Sequence, residues 1–205
     1  MPTPLARLLI LGAGGHGRVV ADAALAEGWQ AVVASDRDPA RWGPDLLPGV
    51  PVLAIDDAVT RSTVVHVAIG SAAARERETR AMGLPLATIV HPRASVSPHA
   101  AVGPGCLLTA HSVVAPGARV GTSVIVNHGA VVDHDVHVGD YTHIGPLVSL
   151  GGGVRIGSRV LVGSGASVLP GVRVADDIVI GAGAVVREDL EVAGVYAGVP
   201  ARRVR

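Results

Sequence analysis

The sequence of 205 residues contains no lysine; all seventeen of its basic side chains are arginine. That excludes a Schiff-base lysine and the lysine of a P-loop. A single cysteine, Cys106, rules out an intramolecular disulfide and fits a reducing compartment. Seventeen acidic residues balance the arginines, so the net charge is zero. Without a basic block, neither nucleic acid nor an anionic membrane is expected as a partner. Nowhere do eighteen apolar residues run together, so no transmembrane helix is expected. The start from Met1 to Leu11 is apolar enough to mimic a signal peptide, but Gly12 interrupts it and no clean cleavage site follows. It reads as a buried first strand, and the protein as cytoplasmic. At 17% charged and 49% hydrophobic residues the chain is too apolar to be disordered. Its length allows one large domain or two small ones.

The second half repeats every six residues. From Val96 to Val186 every sixth position is Val, Ile or Leu, sixteen in all and without an insertion. The residue after each is often glycine, as at Gly103, Gly121, Gly139 and Gly157, and the residue two before is small or branched. Residues two apart on a strand share a face, so both of these side chains point inward. The next three positions turn a corner, where glycine tolerates positive φ. Three hexads make one triangular coil, and coils stack about 4.8 Å apart. Residues 90–186 therefore give about five coils of parallel β-helix. A purely structural solenoid is the plain alternative.

The first half reads as a nucleotide-binding type of fold. Leu8–Leu11 is a strand, followed by Gly12-Ala13-Gly14-Gly15-His16-Gly17, which matches G-x-G-x-x-G. Arg18–Glu27 reads as a helix ending at Gly28. Ala31–Ser35 is a second strand ending at Asp36-Arg37. A glycine turn at a helix N-terminus in a βαβ unit binds phosphate. Val64–Ile69, ending at Gly70-Ser71, is a further strand, and Arg75–Met82 a further helix. The motif first suggests a dinucleotide with Asp36 on the ribose, but the region is small for that and no dehydrogenase domain follows. A structural tight turn is the other reading. The division expected is 1–87, small and Rossmann-like, and 88–205, the β-helix with a C-terminal tail.

Four of nine histidines fall close together: His128, His134, His137 and His143. Solvated surface histidines and a metal site compete with catalysis here. The γ-type carbonic anhydrases bind zinc with three histidines on a hexapeptide repeat, two of them separated by four residues; no pair here has that spacing, so no metal is expected. His134 falls on a corner between Asp133 and Asp135, where a carboxylate orients the ring and raises its basicity. One coil above, in the same column, is Gly152, a candidate oxyanion donor. Ser164 and Ala182 share another column, which leaves a groove for an extended ligand.

The combination resembles the bacterial acetyltransferases of nucleotide-linked amino sugars, grouped with sialic-acid O-acetyltransferases. Within them it looks most like enzymes of the bacillosamine type, which acetylate a UDP-4-amino-4,6-dideoxy sugar. The marks are Gly12–Gly17, Val67-Ala68-Ile69-Gly70, Ile89-Val90-His91-Pro92, Asp133-His134-Asp135, Ala175-Asp176-Asp177 and Gly198-Val199-Pro200-Ala201-Arg202. The resemblance implies a left-handed β-helix, and a homotrimer with three sites between neighbouring β-helices. It implies a nucleotide sugar bound by Gly14, Gly15, His16, Asp36, Arg37 and Gly70. Acetyl-CoA, as cosubstrate, would lie near His143, Ser164 and Ala182, with His134 as base and Asp135 as its acidic neighbour. Acetylation of a sugar hydroxyl, or of a GDP-linked amino sugar, is the alternative within the same chemistry. A γ-type hydratase and a non-catalytic nucleotide-sugar-binding trimer stand outside it.

Overall fold

A computed structural model of the chain describes residues 6–205. The opening residues of the apolar start, 1–5, lie outside the described residues. The chain divides into two compact units, the first ending at Pro92 and the second running from Arg93 to Arg205.

In the first unit, β1 (Leu8–Leu11) is buried along its whole length, as its unbroken aliphatic run requires. It pairs in parallel with β2 (Val32–Ser35) on one side and with a strand at Val64–Val67 on the other. Between them in sequence lie four elements that the apolar pattern did not announce: a 3-10 helix at Pro39–Arg41, β3 (Asp45–Leu47), β4 (Val50–Leu53) and a short helix at Ile55–Arg61. With Val64–Val67 as β5, the sheet order is β3-β4-β2-β1-β5, with only β3 antiparallel.

The first helix, α1, spans Gly15–Glu27, so it starts inside the glycine motif rather than at Arg18. It stops at Gly28, which is left-handed at φ 103° and returns its N–H to the carbonyls of Ala24 and Leu25. The last helix spans Ala72–Ala81, and the Ser71 side chain caps it. Two glycines of the motif are set by contact. A Cβ at Gly12 would stand 2.6 Å from the Ala68 carbonyl oxygen, and one at Gly17 would overlap the Gly12 carbonyl.

The second unit is a left-handed parallel β-helix of two-residue strands spaced six apart. The strands pair in parallel with a shift of eighteen residues, as Val114 with Val132 and Val132 with Leu150. Both predicted inward columns are buried: Val132, Ile144, Leu150 and Val162 in one, Val124, Val136, Val154 and Val160 in the other, all fully. Val96, 36% exposed, and the half-buried Val102 are the exceptions, each on the edge strand of its side. Thr142 is buried in the second column, where its hydroxyl donates to the Gly157 carbonyl and accepts from the Val160 N–H.

The corners correct the reason given for the glycines. Positive φ falls three residues after each aliphatic from Val102 to Ile180, at Gly105, His111, Gly117, Ser123 and so on to Asp177 and Gly183. The glycines that directly follow the aliphatics are not in that region. They are glycine because coils stack tightly: a Cβ at Gly103 would stand 2.6 Å from the Gly121 oxygen, and one at Gly163 2.6 Å from the Ala182 nitrogen.

Candidate functional site

The corner Asp133-His134-Asp135 presents the imidazole to solvent, with 62% of its side chain exposed. His134 Nδ1 lies 2.9 Å from Asp135 Oδ2. A carboxylate only accepts, so Nδ1 carries the hydrogen and the neutral ring keeps its lone pair on Nε2. The His134 backbone N–H donates to Asp133 Oδ1 at 2.7 Å, which fixes the corner from within. The hydrogen bond to Asp135, and then the charge of Asp133, raise the His134 pKa above its ordinary 6.5.

Two glycines make room for this pair. Gly117, one coil below, stands where a Cβ would overlap Asp135 Oδ1. Gly152, one coil above, lies against the ring, and a Cβ there would overlap Nε2 and Cε1. So Gly152 is brought to the basic nitrogen itself. Its N–H makes no backbone hydrogen bond among the described residues, although its carbonyl accepts from Gly171.

The residues expected around acetyl-CoA sit elsewhere on the prism. Ser164 and Ala182 are exposed on a second edge, stacked one coil apart. His143 is on the flat side leading to that edge, paired with Ile125 and Leu161. The Asn127 side-chain amide donates to His143 Nε2 at 3.2 Å, while its oxygen accepts the His128 N–H. Asn127 and Gly117 were not singled out from sequence. The eighteen-residue register was the signal that would have found both, since Gly117 is the position below Asp135 and Asn127, one coil below Gly145, begins a corner on the edge of Ser164 and Ala182.

In the first unit the glycine turn is held by Asp36, whose Oδ2 accepts the Ala13 N–H at 2.8 Å and whose Oδ1 accepts the Asp38 N–H. Gly14 and Gly15 open the first turn of α1, and a Cβ at Gly15 would meet nothing within 4 Å. Arg37 is already engaged: its Nε and Nη2 donate to Glu78 Oε2 at 3.0 and 2.8 Å, and Glu78 is buried. Nearer the turn is Arg41, with Nη1 3.3 Å from the Ala13 carbonyl and Nε 3.7 Å from Asp36. No motif marked it. The Gly70 and Ile69 carbonyls accept from the buried Arg75. His16 lies in the first turn of α1, near the fully buried His66. The His66 pKa is lowered to about 4, first by burial and then by the charges of His16 and Arg75, against the hydrogen bond to Ala87, which raises it. Its Nδ1–H donates to the Ala87 carbonyl.

Among the described residues no group of three His, Cys, Asp or Glu side chains is placed to hold a metal ion. No helix among the described residues is long and apolar enough to cross a membrane.

Two family models match, one within each unit. The model of the PglD N-terminal domain matches residues 7–82, and that of the bacterial transferase hexapeptide (six repeats) matches 153–188. No curated protein sequence matches significantly. Among solved structures, PerB from Caulobacter crescentus in complex with CoA and GDP-perosamine is 36% identical over 99% of both chains, with a TM-score of 0.89. A histidine-to-asparagine variant of perosamine N-acetyltransferase from that organism, with the same two ligands, is 35% identical over 99% of both, with a TM-score of 0.90. The acetyltransferase domain of PglB from Neisseria gonorrhoeae, in complex with acetyl coenzyme A, is 34% identical over 97% of this chain and 99% of that one, with a TM-score of 0.89. At that identity and coverage, with a histidine–carboxylate pair on the corner of a hexapeptide β-helix, the chain belongs to the bacterial nucleotide-sugar acetyltransferases and is an acyltransferase.

Proposed function

We propose that the chain transfers the acetyl group of acetyl-CoA to the amino group of a nucleotide-linked amino-deoxy sugar, of the UDP-4-amino-4,6-dideoxy type, with His134 as general base. The observation that carries this is the His134–Asp135 bond of 2.9 Å, which leaves Nε2 basic and directed at Gly152. The sugar nitrogen attacks the thioester carbonyl while Nε2 takes its proton. The Gly152 N–H donates to the oxygen on which charge develops. As the carbon–sulfur bond breaks, protonated His134 returns the proton to sulfur and CoA leaves as the thiol. No covalent intermediate on the chain is required.

In this reading Gly14, Gly15, His16, Asp36, Arg37 and Gly70 hold the nucleotide sugar, and His143, Ser164 and Ala182 line the path of CoA. Within one chain the edge carrying His134 is not the edge carrying Ser164 and Ala182. A site using both sets needs a second copy, which supports a homotrimer with one site between each pair of neighbours. The complexes of CoA and GDP-perosamine with proteins 35–36% identical favour a GDP-linked sugar as the second reading of the acceptor.

The test is thiol release from acetyl-CoA with UDP- and GDP-linked amino sugars, with product mass as a check. Release with an amino sugar, and none with the corresponding hydroxyl sugar, is expected. Release only with the hydroxyl sugar makes the chain an O-acetyltransferase. Sugar binding without release makes it a binding module.

A further inference from the structure

On the edge of the β-helix that carries His134, the last corner position in successive coils is Gly117, Asp135, Gly153 and Gly171, all at positive φ. Backbone conformation alone does not demand glycine there. On another edge the same position is Ser123, Tyr141, Arg159 and Asp177, one coil apart and all left-handed. A side chain at this position, with a second directly above it, is therefore compatible with the coil. What sets Gly117 apart is the group above it. A Cβ at Gly117 would overlap Asp135 Oδ1, whereas one at Gly153 or Gly171 would meet nothing within 4 Å.

Asp135 has little room to turn away. Its N–H donates to the Pro116 carbonyl at 3.1 Å, and its carbonyl accepts the His137 Nδ1–H at 3.2 Å. Its Cα is thus fixed from both sides, at φ 59°. The side chain is 72% exposed, and among the described residues the His134 ring is the one hydrogen-bond partner of its carboxylate. A carboxylate is planar. With Oδ2 held on Nδ1, Oδ1 falls where a Cβ on Gly117 would stand.

We propose that Gly117 is a positioning residue for the His134–Asp135 pair: its bare backbone leaves the space in which the carboxylate lies when Oδ2 meets Nδ1, and a side chain there turns the carboxylate off the ring. This deepens the reading of His134 as base and rests on it for its effect on turnover. The charged groups acting on the ring are Asp135 and Asp133, both on its own corner. The coil below brings Pro116 and Gly117 and the coil above Gly151, Gly152 and Gly153, none of them charged. His137, on the following strand, meets Asp135 through the backbone carbonyl. Loss of the Asp135 bond removes the first cause of the raised His134 pKa and leaves the charge of Asp133. It also frees the ring hydrogen to move to Nε2, which takes the basic lone pair away from Gly152.

The experiment compares the full-length wild type with Gly117→Ala, Gly171→Ala, Asp135→Ala and the double variant Gly117→Ala/Asp135→Ala. The His134 imidazole is titrated by NMR on histidine-labelled protein, its signal assigned by loss in His134→Ala. Urea unfolding, kcat and KM are measured alongside. In Gly117→Ala the ring is expected to titrate at lower pH than in wild type, in the direction of Asp135→Ala, with kcat about tenfold down at neutral pH and KM unchanged. Gly171→Ala places the same methyl on the same left-handed backbone without the contact, so its titration and kcat should match wild type. The double variant should match Asp135→Ala alone, because the new methyl then has no carboxylate to displace. A His134 titration in Gly117→Ala that overlays wild type would overturn the proposal. So would an equal effect of Gly171→Ala, or losses that add in the double variant. If Gly117→Ala does not fold, the double variant must recover the urea midpoint of Gly171→Ala, and no recovery overturns the proposal as well. A titration that moves as expected while kcat stays at the wild-type value upholds Gly117 as the positioner of the pair and removes His134 as the base.

Discussion

The two units build their candidate sites in different ways. In the β-helix the core is an inward pair of columns, and the site is on an edge that the core does not use. His134 is 62% exposed on its side chain, and its partners Gly117 and Gly152 sit one coil away on either side. In the first unit the same residues hold the fold and face the turn. Asp36 ties down the Ala13 N–H, Arg37 is bound to buried Glu78, and Arg75 is itself buried beneath the Ile69 and Gly70 carbonyls. A repeat separates what stabilises from what reacts, because every coil supplies its own core. A single βαβ sheet has no spare copies, so its polar residues serve twice.

The sharpest break of that contrast is at His134. His134→Ala is expected to lower kcat about 10²–10⁴-fold and to leave the urea midpoint close to that of the wild type, as an ordinary surface change does. The loss belongs in kcat more than KM, because the base acts in the transition state. Gly152→Ala removes neither the imidazole nor the Gly152 N–H, yet is expected to lose a similar amount, since the new Cβ overlaps the ring at Nε2 and Cε1. Its φ is ordinary, so the fold should stand. Full activity in Gly152→Ala would show that the imidazole does not rest against this backbone during turnover.

The first unit should answer differently, through stability. His66 is fully buried, and its pKa is lowered from 6.5 to about 4, first by burial. The unfolded chain therefore binds this proton at higher pH than the folded one. Stability is complete above about pH 6.5 and falls as pH drops toward 4, by roughly 3 kcal/mol over the whole window. Between about pH 7 and pH 5 the cost is about 2 kcal/mol. Urea unfolding of wild type and His66→Asn at both pH values checks it. The variant should be weaker at neutral pH but lose less on acidification. An equal loss in both would place the acid sensitivity elsewhere.

The same contrast decides how much was legible in the sequence. In the β-helix a residue's place follows from its number, so His134 could be set beneath Gly152 and Ser164 beneath Ala182 without coordinates. What the period did not contain was which corner position takes positive φ, because close stacking and backbone conformation both select glycine. In the first unit β1, β2 and α1 were legible from an apolar run and the glycine motif. β3, β4 and the helix at Ile55–Arg61 were not, since Pro48, Pro51 and exposed residues break any period. The Arg37–Glu78 bond joins residues 41 apart through tertiary packing that no local pattern encodes.

The smallest expected effect concerns what the carboxylate beside His134 does. If Asp135 only orients the ring, an amide should replace it, because its oxygen also accepts from Nδ1–H. If its charge matters too, Asp135→Asn should fall between wild type and His134→Ala, about tenfold down in kcat. The pH profile separates the two. Asp135 is the first cause of the raised His134 pKa, with Asp133 second. The base works neutral, so the acid limb of kcat/KM follows the His134 pKa, and wild type gains activity as pH rises through that raised value. Removing the Asp135 charge lowers the pKa, so the limb of Asp135→Asn should move to lower pH, and the gap to wild type should narrow on acidification. Asp133→Asn should move the limb the same way by less, since its charge acts without a bond to the ring. A limb that stays in place in both variants would mean that the titrating group is not His134, whatever the loss in kcat.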